Sequence, residues 1–269
     1  MSELRVRDLT LYYEEHGAGT PILCIHGTGS SAGGWGGALD KLAGRGRTIT
    51  YDRRGHGRSE RPEPYEFTSV EEHADDAAGL LRGLHAAPAV VIGRGYGAGI
   101  ALDLVERYPG LVRALILLEP AILTLTAEAH AWEGALVDGV VLAAAAGGPE
   151  AGAESYYRRV LGDEGWEGLP EELRSTMLGN APAVLAELKG GPLRPDEGAL
   201  VQLRKPVLVV SSADSPPVFR AVDEVLADLV PGAVHEVVLG GPADPGLPEV
   251  LGFLDGVLDG RGRPGHENA

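Results

Sequence analysis

At 269 residues the chain can form one large α/β domain with an inserted cap, or two small domains. Its 39 acidic side chains outnumber 23 basic ones, for a net charge of −16. Such a field repels nucleic acid and anionic membrane surfaces, so neither is expected as a partner. The single cysteine, Cys24, excludes an intrachain disulfide and a cysteine-based metal cluster.

Residues 4–15 alternate apolar and polar side chains and predict two short strands. Residues 1–10 contain no apolar signal core, and no stretch is long and apolar enough to span a bilayer, so a cytoplasmic protein is expected. The run Pro21-Ile22-Leu23-Cys24-Ile25 predicts a strand covered on both faces, which buries Cys24 as an inert thiol. It ends in the glycine-rich turn His26-Gly27-Thr28-Gly29-Ser30. A short helix through Leu39 and Leu42 follows, then a strand over residues 48–51. The tight turn Asp52-Arg53-Arg54-Gly55-His56-Gly57 comes next.

Ser69 followed by Glu72 forms a capping-box pattern and opens a helix over residues 69–86. Residues 89–92 predict a strand, and Gly93-Arg94-Gly95-Tyr96-Gly97 turns directly into a helix that stops near Tyr108-Pro109. Residues 112–118 are the next strand, closing on Glu119-Pro120. Strand signals then stop until about residue 200, in a helical stretch carrying Trp132, Tyr156, Tyr157 and Trp166. Strand–helix alternation resumes with a strand at residues 206–210, a helix at 219–229, a strand at 236–239 and a helix near 250–258. Strands that alternate with helices imply a mostly parallel, doubly wound sheet. The expected division is a core of residues 1–120 and 201–260, a helical cap of residues 121–200 and a mobile tail of residues 261–269.

The order of four features resembles the α/β-hydrolase superfamily over roughly residues 4–258. They are His26-Gly27 after a strand, the turn from Asp52 to Ser59, the Gly93–Gly97 elbow, and Asp214 after the strand that follows the helical insertion. The resemblance implies a nucleophile at position 95, where this chain has Gly95, which has no atom to attack a carbonyl. It also implies a histidine after the last strand. Counting from that strand, Asp244 falls there, and none of the eight histidines does. The acid of the family's triad matches Asp214, and the backbone N–H groups of Thr28 and Tyr96 match its oxyanion hole.

If the family geometry holds, Asp214 and Asp244 face each other, and one of the pair keeps a proton near neutral pH. They are the candidate catalytic groups. His26 is read first as a loop-shaping residue and also as a substrate contact. Arg94, Glu119 and Trp132 are further substrate-binding candidates. Gly95 either relieves backbone strain or opens room for substrate. The glycines at 93, 95, 97 and 99 depart from a dinucleotide fingerprint, and no cluster has metal-ligand spacing, so no cofactor and no metal are expected.

These parts lead to the expectation of a non-hydrolytic cyclase, isomerase or lyase acting on a small apolar carbonyl compound. Residue usage similar to that of high-GC bacteria points to natural-product biosynthesis. A hydrolase using carboxylate-activated water and a non-catalytic binding protein are the alternatives. Oligomeric state is left open.

Overall fold

The computed structural model describes residues 2–239 and 243–260. The tail expected to be mobile, residues 261–269, lies outside the described residues.

Eight strands form one sheet in the order β1-β2-β4-β3-β5-β6-β7-β8. They are β1 (Ser2–Val6), β2 (Leu9–His16), β3 (Pro21–Ile25), β4 (Arg47–Tyr51), β5 (Ala89–Arg94), β6 (Val112–Leu118), β7 (Val207–Ser212) and β8 (Val234–Val238). The first two are joined antiparallel and β2 pairs antiparallel with β4; every later pairing is parallel. The parallel strands are continuous apolar runs because helices cover both faces. On one face lie α2 (Val70–Gly83), α3 (Tyr96–Arg107) and α9 (Pro217–Leu229). On the other lie α1 (Ala38–Ala43) and α10 (Pro248–Leu258).

Local chemistry sets the helix ends. Ser69 accepts from the Glu72 N–H while Glu72 accepts from the Ser69 N–H, the reciprocal cap that starts α2. Cys24 is fully buried among β-strand neighbours, and burial pushes its thiol up to about 12, so it is unreactive. Between β6 and β7 the chain leaves the sheet for α4 (Ala127–Gly147), α5 (Pro149–Glu167), α6 (Glu171–Gly179), α7 (Ala181–Lys189) and α8 (Glu197–Gln202). This insertion has its own small core, in which Tyr157 stacks on Trp166 at 5.1 Å. Among the described residues no helix is long and apolar enough to cross a membrane.

At the β7–β8 edge a polar trio, with Ser211 and Asp223 buried and His235 half-buried, links sheet and helix. Ser211 Oγ lies 2.7 Å from Asp223 Oδ2 and 2.6 Å from His235 Nε2. A hydroxyl between a carboxyl and an imidazole can donate to one and accept from the other. Burial is the main cause that pushes Asp223 up to about 8. An unfolded aspartate titrates near about 3.9. Between those values the unfolded chain has released a proton that the folded chain keeps, so the stability this group contributes falls as pH rises from about 4 to about 8 and is level above. Urea unfolding of Asp223→Asn should lose that slope, the variant gaining on the parent by up to about 1.4 kcal/mol per pH unit. Parallel pH curves for the two proteins would contradict this placement of the proton.

Candidate functional site

The site lies at the C-terminal edge of the sheet, where open α/β folds bind their ligands. Gly95 is the single residue between β5 and α3, with φ 54° and ψ −118°. Its N–H donates to Leu118 O at 2.9 Å, and its carbonyl accepts from Ala121 N at 3.2 Å and Ala98 N at 3.0 Å. The turn is therefore pinned to the end of β6. Gly97 lets this turn close, since a Cβ there would strike the backbone carbonyls of Ile25 and His26. At Gly95 itself a Cβ would meet nothing within 4 Å. Space stands open above the turn.

That space belongs to a cavity of about 330 Å³ whose wall includes Thr28, Arg94, Gly95, Tyr96, Glu119 and Ser215. A second lobe of about 290 Å³ shares Thr28, Tyr96, Tyr156 and Phe219 and extends under the insertion to Trp132 and Glu187. Trp132 meets Phe219 edge to face at 5.6 Å, so the far wall is aromatic. Tyr96 is the first residue of α3, and its N–H is one of those a helix leaves unbonded internally. Thr28 and Tyr96 thus both stand at the cavity wall.

Glu119 follows β6 directly, and the pairing of Arg94 with Leu118 places it beside Gly95. It is one of three non-glycine residues with positive φ among the described residues, at 47°. Strained backbone of this kind persists where the surroundings hold it. Here Glu119 N donates to Val210 O at 2.8 Å. The Ser215 hydroxyl donates to Glu119 Oε1, and Ala243 N donates to Oε2 at 3.1 Å. Each oxygen keeps acceptor capacity for another donor.

A buried ionic cluster lies behind Thr28 and Tyr96. Arg53, fully buried, donates from Nη1 to Glu187 Oε1 at 2.6 Å and from Nη2 to Gly27 O at 3.0 Å. Thr28 Oγ1 donates to Glu187 Oε2 at 2.7 Å. His56 Nε2 accepts from Gly29 N at 3.3 Å, and His26 Nε2 accepts from Arg53 N at 3.0 Å. Burial first, and the Arg53 charge second, hold His26, His56 and His73 well below the usual histidine range. All three are neutral at neutral pH.

The structure sorts the other expected site residues. His26 is 1% exposed, with Nδ1 against Gly27 O at 2.8 Å, so the substrate-contact reading is corrected in favour of loop shaping. Arg94 lines the cavity, but its guanidinium packs over Trp35 at 4.8 Å and reaches Ala243 O and Gly34 O. Trp132 lines the second lobe. Asp214 is exposed, and neither it nor Asp244 is in the wall of either lobe. Asp244 accepts from Gly246 N at 2.8 Å and lies 3.7 Å from Arg94 Nη2, the habit of an Asp shaping a turn. Glu187 and Ser215 were not singled out by sequence reasoning, and Arg53 entered it only as part of the tight turn after the strand at residues 48–51. Glu187 carried a signal: it continues the buried stripe of Ala183, Val184 and Ala186 on α7, where a solvated acid does not belong.

Residues 22–249 match the Alpha/beta hydrolase family. An uncharacterised hydrolase of Bacillus subtilis, YraK, is 40% identical over 122 residues, which spans 45% of either chain. The 2-(acetamidomethylene)succinate hydrolase of Mesorhizobium japonicum is 29% identical over 263 residues, 92% of each chain. In fold, the chain superposes on a thermophilic esterase from Thermogutta terrifontis with a TM-score of 0.76, 23% identity and coverage of 97% of this chain and 98% of that one. These relatives are named as hydrolases, which overturns the expectation of cyclase, isomerase or lyase chemistry and, with it, of natural-product biosynthesis. The chain belongs to the Alpha/beta hydrolase family.

Proposed function

We propose that the protein hydrolyses small, largely apolar carbonyl compounds such as carboxylic esters, with water as the direct nucleophile and no covalent intermediate. Position 95 supplies no nucleophilic side chain, and no histidine of the sequence falls in the loop after the last strand. Another group must therefore take the proton. The observation that carries this reading is the placement of Glu119 beside Gly95, in a strained backbone conformation and in the cavity wall. Position 95 leaves room for a water between the Glu119 carboxylate and a substrate carbonyl whose oxygen points at the Thr28 and Tyr96 N–H groups.

The steps balance within these parts. Glu119 takes a proton from water as the oxygen attacks the carbonyl carbon. The resulting oxyanion is stabilised by the two backbone donors. Collapse breaks the bond to the leaving group, which recovers the proton from Glu119. Ser215 and Ala243 N–H fix the carboxylate throughout, as groups that hold the base must.

Hydrolysis of p-nitrophenyl acetate and butyrate tests this. Wild type should turn over, and Glu119→Gln should lower kcat by about 100-fold or more, within the usual range for a lost general base. Asp244→Asn should retain most activity. Equal rates for wild type and Glu119→Gln, or fluorophosphonate labelling of Ser215, would overturn the scheme. Gly95→Ser tests the vacated position. It should cost about 1–3 kcal/mol in urea unfolding, because φ there is strained for any side chain. It should also slow turnover by filling the space for water. A faster, fluorophosphonate-sensitive Gly95→Ser protein would contradict the scheme.

A further inference from the structure

We propose that Glu187 is a positioning residue: delivered by the inserted helix α7, it holds the oxyanion loop in register and so couples docking of the insertion to catalysis. This rests on the assignment of Thr28 N–H as an oxyanion donor. Each of the three loop residues around that donor is bonded into one buried cluster. Gly27 O accepts from Arg53, Thr28 Oγ1 donates to Glu187, and Gly29 N donates to His56. The loop's own backbone bond is Ser30 N to Gly27 O at 3.3 Å, so most of its restraint comes from side chains outside it.

The charge arithmetic of the cluster makes Glu187 its centre. Arg53 is 0% exposed and Glu187 2%, so neither charge has bulk water to fall back on. The imidazoles of His26, His56 and His73 are neutral, which leaves Glu187 as the counter-charge that Arg53 meets at hydrogen-bond distance. His56 Nε2 and His73 Nε2 lie 3.5 and 3.9 Å from the same Glu187 oxygen. Arg53 also lies over the ring of Tyr96, the residue carrying the second donor, at 5.3 Å. One carboxylate from the insertion therefore reaches the neighbourhood of both donors. When α7 leaves, Arg53 loses its counter-charge and Thr28 loses the bond to its side chain.

α7 is tied to the same loop at its other end. Asn180, which precedes the helix, donates to Gly29 O at 2.9 Å and Ser30 O at 3.1 Å and accepts from Gly57 N at 2.9 Å. The insertion thus grips the oxyanion loop at two points, one neutral and one charged. The charged point is the one that acts on Thr28.

Two variants separate positioning from simple folding. Glu187→Gln removes the charge. Thr28→Val removes only the side-chain bond and leaves the Arg53–Glu187 pair, so it keeps the fold if the first variant does not. Hydrogen–deuterium exchange should speed up about tenfold or more in the peptide covering residues 26–30 in both variants, with β3 and β5 unchanged. With p-nitrophenyl butyrate, kcat should fall about 10- to 100-fold while KM stays within about threefold, since a misplaced donor is felt in the transition state. Unchanged exchange in Thr28→Val, or a rise in KM with kcat intact, overturns the proposal. Faster exchange in proteins that never hydrolyse the ester supports the positioning role and sinks only the hydrolytic reading.

Discussion

One buried ion pair organises the functional end of this molecule. Arg53 comes from the turn after β4 and Glu187 from the helical insertion, and they meet at 2.6 Å with almost no exposure. Removing both charges from water costs several kcal/mol per ion, and only close geometry with further hydrogen bonds offsets it. Those further bonds go to Gly27 O and Thr28 Oγ1, the loop that faces the cavity. Loss of one partner of such a pair typically costs about 3–5 kcal/mol. The pair is therefore a fold contact and a site contact at once. The neighbouring pair of Arg54 with Asp76 has only the first role, tying the same turn to α2 with bonds of 2.6 and 2.9 Å.

A second constraint is the turn at Gly95. The sheet brings Gly95 and Glu119 side by side because β5 and β6 are parallel neighbours that end at the same level. Both have positive φ, which Gly95 adopts without strain and Glu119 only with it. In the proposed scheme the position without a side chain and the position with a carboxylate divide one task. The first leaves room for water and the second takes its proton. The aromatic lobe formed by Trp132, Tyr156 and Phe219 suits a largely apolar substrate.

Much of the fold was legible in the chain. The apolar run at residues 21–25, the capping box at Ser69 and Glu72, and the strand–helix alternation each follow from local periodicity, and each appears in the structure. The position of the turn from His26 to Ser30 was legible because a glycine-rich turn after a strand can be located in the sequence, and its residues Gly27, Thr28 and Ser30 line the cavity. The acid–base groups were less so. Counting residues past the last strand pointed to Asp244, but its carboxylate is used within its own turn, to Gly246 N. Residues 240–242 of that loop lie outside the described residues. Glu187 lies 134 positions from Arg53, and no local pattern joins them. A lone acid on an apolar helix stripe was the available clue. The reaction class was misread for a different reason. Absence of a nucleophile put hydrolysis by carboxylate-activated water second to non-hydrolytic chemistry, although water needs only a base and a place for the oxyanion.

The most direct test of the central claim is the intact mass of the protein quenched in acid during steady turnover of p-nitrophenyl butyrate. Direct attack by water predicts the unmodified mass at every time point, with product released from the first turnover without a burst. A species heavier by one butyryl group, formed and lost at the rate of turnover, would contradict the account and place a covalent nucleophile in the cavity.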